Sequence, residues 1–144
     1  MEFSESDLSD LKVIDHKIVR LITGAQSKVN TKMLYLETGE ITIPNVISVR
    51  RLMYFKLLLK RHDQEITKRV LISMTKTPKK DDWIHLIKSD LEEIDMYLDN
   101  SNIIQTLDKS KFKQIVKTQI RKYSLQELET TKEKDNCKIT WYFE

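Results

Sequence analysis

Leu21–Val70 reads LITGAQSKVNTKMLYLETGEITIPNVISVRRLMYFKLLLKRHDQEITKRV, and its punctuation decides the fold. Thr23–Gly24 stops one helix, because Gly24 can take the left-handed conformation that closes a helix C-terminus. Asn30 is placed to cap a short helix over Thr31–Thr38, with Met33, Leu34 and Leu36 on its apolar side. Gly39 stops that one in turn. Ile43–Pro44 then opens a long helix, since the N–H that proline lacks has no partner in a first turn. From Val46 to Leu59 apolar residues point nearly all round the axis, the pattern of a central helix buried on several sides.

Reading outward, Leu8, Leu11, Ile14, Ile18 and Ile22 recur at steps of three and four, so a first helix spans about Asp7–Ile22 with Ser6 or Ser9 as its cap. On the other side Asp63 caps a helix over Gln64–Lys76 carrying Ile66, Val70 and Met74, and Thr77–Lys80 breaks it. A fifth helix starts at Asp81 or Asp82 and turns Trp83, Ile87, Leu91, Ile94 and Leu98 inward. Asp99–Thr106 reads as a loop or short turn. Asp108 caps a last helix whose core face is Phe112, Ile115, Val116, Ile120 and Tyr123, with a bend expected near Ser124. The expected fold class is all-α, an irregular bundle of about six helices forming one domain over 1–128, followed by a charged, disordered tail at 129–144.

Composition agrees. A chain of 144 residues with 40% hydrophobic content can form one core, burying about 70% of its unfolded surface. Only two Gly and two Pro argue against a turn-rich β architecture. A net charge of +3 within 33% charged residues is a mixed surface, which permits a nucleic-acid partner without demanding one. Cys137 is the only cysteine, so no disulfide forms within the chain and no cysteine-based zinc site exists. The N-terminal MEFSESDLSDL lacks an apolar signal core, and runs such as Leu57–Leu59 fall far short of the roughly 20 residues of a membrane span. The expected setting is intracellular, cytoplasmic or nuclear, with no membrane partner.

No catalytic constellation is visible. His16, His62 and His85 stand apart, none with another His or a Cys at the four-residue helical spacing, so no metal or cofactor is implied. Asp81–Asp82 and Glu92–Glu93 are adjacent pairs whose side chains diverge by about 100° on a helix and cannot converge on one atom. Arg50 falls among Val46, Ile47, Tyr54 and Leu57 on a helical projection. Two readings stand for it: an ion pair with Glu37 or Glu40, or a phosphate contact by Arg50 or Arg51, for which the guanidinium fork is shaped. Lys113, Lys117 and Arg121 form a row at four-residue spacing beside the core face of the last helix. Such a row can neutralise successive phosphates of RNA or DNA, or be a solvated basic face.

The order Met33-Leu-Tyr-Leu-Glu37 with Gly39, Ile41–Pro44, Arg50-Arg-Leu-Met-Tyr54 and Lys68-Arg69-Val70, followed by DDWIHLIKSDLEEI and SKFKQIVKTQI, resembles a recurrent segment of non-LTR (LINE-type) retrotransposon polyproteins. That segment lies downstream of the reverse transcriptase palm, and the likeness covers about residues 18–121. The Tyr/Phe-Ala-Asp-Asp turn of the polymerase is absent, as are the palm and fingers motifs and the Cys/His cluster that follows in related polyproteins. The resemblance therefore implies a non-catalytic accessory segment that supports a reverse transcriptase domain or holds RNA or DNA. A helical protein-interaction module, or an element remnant that binds no nucleic acid, is the alternative.

Overall fold

The computed structural model describes residues 4–26, 31–39, 41–80 and 82–135, with side chains left out for Lys32, Met33, Leu36, Glu37 and 128–135. The architecture is all-α. Helices α1 (Glu5–Thr23), α2 (Thr31–Thr38), α3 (Ile43–Leu59), α4 (Ile66–Lys76) and α5 (Trp83–Glu93) are followed by a 3-10 turn at Leu98–Asn100, then α6 (Ser101–Thr106) and α7 (Lys109–Asp135). No strand occurs among the described residues.

Local chemistry sets the boundaries. Ser4, not Ser6 or Ser9, caps α1: its Oγ accepts the Asp7 N–H at 3.1 Å, and Asp7 Oδ2 accepts the Ser4 N–H at 3.2 Å. This reciprocal box satisfies two N–H groups that helix geometry leaves without partners, and the helix starts at Glu5. Gly24 (φ 65) and Gly39 (φ 66) take the left-handed conformation expected of them. Asn30, expected to cap α2, lies outside the described residues, as does Asp81. Asp82 stands at the N-cap of α5, but its carboxylate accepts from the Lys79 N–H at 3.2 Å and does not cap the helix.

Asp63 caps nothing. The chain turns through Arg61–Glu65 and α4 begins at Ile66, because the buried Lys68 ammonium reaches back to the Leu59 carbonyl at the end of α3 and holds Asp63 at 4.0 Å. At the end of α5, Asp95 (φ 57) adopts a left-handed conformation and redirects the chain. Leu98 thus belongs to the 3-10 turn and not to α5. The stretch expected as a loop holds α6, which plants Ile104 fully in the core. Asp108 does cap α7, accepting from the Ser110 N–H at 2.9 Å, and these backbone donors hold its carboxyl below the usual range. α7 is one helix through Ser124 and on to Asp135, into the stretch from 129 that is expected as a disordered tail. Residues 136–144, with Cys137 and the Ile139–Glu144 end, lie outside the described residues.

α3 is the axis of the molecule, packed against α1, α4, α5, α6 and α7. Leu52 and Phe55 meet Ile84, Ile87 and Leu91 of α5, Ile104 of α6, and Phe112 and Val116 of α7, all without solvent exposure. Truncating one of the phenylalanines to Ala should cost about 3–5 kcal/mol. Lys56 enters this core, its ammonium donating to the carbonyls of Ile104 and Leu107 and lying 5.3 Å from the Phe112 ring centroid. Burial, then the charge of Lys60, lowers its pKa. A smaller cluster of Val19, Leu34 and Tyr35 joins α1 to α2.

Two apolar stripes face outward instead. In α1 only Val19 is buried, while Ile14, Ile18, Leu21 and Ile22 are about half to more than four-fifths exposed. In α4 the buried apolar residue is Leu71, and Ile66 and Val70 are exposed. Tyr123, expected on the core face of α7, is also half exposed. Among the described residues, no helix is long and apolar enough to cross a membrane.

Candidate nucleic-acid interface

α7 carries its basic row on a fixed mount. Phe112, Val116 and Ile120 bury one stripe of the helix, which fixes its rotation against α3 and α5. The neighbouring stripe, Lys113, Lys117 and Arg121, is exposed at all three positions. A helix rises about 1.5 Å per residue, so the three cations are spaced along a line about 12 Å long. Arg121 is partly engaged: its Nη2 donates to the Gly39 carbonyl at 3.0 Å. A guanidinium has five N–H donors, so this bond steadies the side chain and leaves others for a phosphate.

Beyond Arg121 the surface changes sign. A groove of about 660 Å³ opens between α1, α2, α3 and α7, lined by Lys12 and Arg121 but also by Asp15, Glu93 and Glu127. Asp15 accepts from the Tyr35 hydroxyl and from the Ile43 N–H at 3.4 Å, which fastens α1 to α2 and to the start of α3. Desolvation and this carboxylate push the Tyr35 phenol well above its usual range. Asn45 Nδ2 donates to Ser124 Oγ at 3.1 Å, joining α3 to α7 across the groove. His16 lies edge-on to Tyr35, with centroids 5.8 Å apart. The carboxylates of the groove disfavour an anion inside it.

The two arginines of α3 take different places. Arg51 makes the buried pair: Nε to Asp90 Oδ2 at 2.7 Å and Nη2 to Asp90 Oδ1 at 2.9 Å. Ser48 Oγ donates to the same Oδ1 at 2.8 Å. Asp90 is 4% exposed and Arg51 26%. Arg50 is exposed; its expected partners, the Glu37 side chain and Glu40, lie outside the described residues. The apolar sector around Arg50 is real, but it is the side of α3 that the other helices leave open: Tyr54 and Leu57 are half exposed there. Arg50 therefore remains available to a phosphate, whereas Arg51 has its charge balanced within the fold.

Sequence reasoning missed Asp90 and Ser48. A signal existed, since Asp90 stands three residues after Ile87 and four before Ile94, on the apolar face itself. A carboxylate in that position requires a cation from a facing helix. Asp90 also acts on Glu93, whose carboxyl is pushed up by burial and then by the negative charge of Asp90. His62 and His85 are exposed, and the described residues contain no cluster of His, Cys, Asp or Glu that could hold a metal. Set against family models, curated proteins and solved structures, the chain matches none.

Proposed function

We propose that this chain is a non-catalytic helical domain that holds RNA or DNA by its phosphate backbone, as an accessory to a reverse transcriptase of the retrotransposon type it resembles. The observation that carries the reading is the exposed row Lys113–Lys117–Arg121 on a helix whose neighbouring stripe is buried. A helix fixed in this way loses little further backbone freedom when its cations meet a phosphate chain, so the ordering cost is confined to their side chains. Arg50, exposed on α3, is a second basic contact, and Arg51 supports α3 from inside. No aromatic residue is interleaved with the row, so contacts would go to phosphates and carry little sequence preference.

Binding of labelled single-stranded RNA and duplex DNA, measured by anisotropy over a range of salt concentrations, tests this. The three phosphate contacts of the row alone predict log–log salt slopes of about −2 for the single strand and about −2.7 for the duplex, and a contact by Arg50 steepens each by a further ~0.7 and ~0.9. Binding without salt dependence, or none at low salt, contradicts it. On the same reading, pure protein with Mg²⁺ or Mn²⁺ should extend no primer on any template.

A further inference from the structure

A second groove, of about 460 Å³, opens on the side of α3 that the other helices leave uncovered. Its bed is apolar, made by Ile43, Val46 and Ile47, and Tyr54 and Trp83 wall it towards the later turns of α3. Its charged lining, among the described residues, is Arg50 and Arg51 alone. Asp90 balances Arg51. Arg50 is exposed and makes no hydrogen bond or ion pair among the described residues. The larger groove, by contrast, is lined by Asp15, Glu93 and Glu127. An anion is therefore drawn to the rim of this groove and opposed at the other.

The aromatic wall offers a flat, open face. Trp83 is half-buried and packs against the buried Phe55, with ring centroids 6.5 Å apart. Tyr54 meets Trp83 at 5.9 Å and 75°. In such a crossing the edge of one ring meets the face of the other, so Trp83 leaves at least one face of Tyr54 uncovered. Tyr54 is 52% exposed. Arg50 stands one turn before it on α3, about 6 Å along the axis. A ring face beside an unpaired guanidinium matches a nucleotide, which carries a flat base and, beyond its sugar, an anion.

We propose that this groove takes an unpaired base of a single-stranded nucleic acid, stacked on Tyr54 with its phosphate held by Arg50. The proposal rests on the nucleic-acid reading and adds what the α7 row cannot supply, a preference for single strands. A base inside a duplex is already stacked on its neighbours and offers no free face to Tyr54. Every base has a π-face, so the groove accepts any of them and sequence preference stays small.

Anisotropy with labelled oligouridylate, alone and paired with oligoadenylate, tests it over a range of salt concentrations, with folding of each variant verified by circular dichroism. Tyr54→Ala should weaken single-strand binding by about tenfold at every salt concentration. Its salt slope and its duplex affinity should match the parent's, because a ring is lost and no phosphate contact. Tyr54→Phe keeps a ring and should bind the single strand within about twofold of the parent. Arg50→Ala should instead flatten the single-strand slope by about 0.7. In a Trp141→Phe background Trp83 is the sole tryptophan, and the single strand, unlike the duplex, should quench its emission. Unchanged Trp83 emission at saturating single strand overturns the proposal, and so do equal losses on both strand forms in Tyr54→Ala. A Tyr54→Ala variant that binds the single strand like the parent also overturns it and leaves the groove to a partner protein. The Trp83 signal is read with Tyr54 in place, so it decides the matter even where a Tyr54 variant misfolds. Salt-dependent binding that persists through these results leaves the phosphate-backbone reading standing, whereas a parent that binds neither form ends both.

Discussion

Arg50 and Arg51 are chain neighbours separated by about 100° around α3, and that rotation decides what each can do. Arg51 meets Asp90, which has no solvent to turn to. Arg51→Ala strands a buried carboxylate and should cost about 3 kcal/mol in urea denaturation, the low end for a buried pair because the guanidinium is partly exposed. Arg50→Ala should change stability by less than about 0.5 kcal/mol. Adding Asp90→Ala to Arg51→Ala should recover part of that cost, since the stranded charge goes with it. An arginine pair within an apolar helix was legible in the sequence; which of the two faced in was not. That depended on which side of a helix apolar all round its neighbours would cover. Glu93 gives a pH test. Its proton is held more tightly in the fold than in the unfolded chain, so ionising it opposes folding. The penalty is absent below the ordinary value of 4.5 and grows as pH rises through the higher folded value. Glu93→Gln should raise the melting temperature at about pH 7 and leave it unchanged at about pH 4. An equal effect at both pH values would show that the Gln side chain acts by packing and not by charge.

At the scale of elements, helix ends with a strong local signal were readable and those made by tertiary contacts were not. Gly24, Gly39, Pro44 and Asp108 act where they stand, through backbone conformation or a bond within one turn. The start of α4 depends on Lys68 reaching the end of α3, and α6 depends on Lys56 from the later turns of α3. Six residues with no cap do not make a stable helix alone. The ammonium of Lys56 satisfies two carbonyls at the C-terminus of α6, where a helix has no internal donors left. Lys56→Met keeps the apolar stem and removes those donors, and should cost about 1–3 kcal/mol. Amide exchange should accelerate first in Ser101–Thr106, before the central turns of α3. Uniform acceleration across both would mean that Lys56 serves the whole core and not α6 in particular.

At the scale of the molecule, the all-α class followed from few Gly and Pro and from repeats of three and four, and the structure agrees. Burial did not follow as directly. The apolar stripes of α1 and α4 read like core faces, yet Ile14, Ile18, Ile66 and Val70 look outward. Periodicity reports that a helix has an apolar face, not whether that face meets its own chain or another. For α7 the two coincide: Phe112, Val116 and Ile120 go in, and Lys113, Lys117 and Arg121 stay out, as the spacing requires. The central claim is that this outer row grips a phosphate backbone, and its most direct test is the triple variant Lys113→Ala, Lys117→Ala, Arg121→Ala. With three exposed side chains removed, thermal stability should hold within about 1 kcal/mol. The log–log salt slope for single-stranded RNA should flatten by about 0.7 for each phosphate no longer neutralised, and that for duplex DNA by about 0.9. A triple variant that binds both like the parent at every salt concentration would contradict the claim and leave the row as a solvated face of α7.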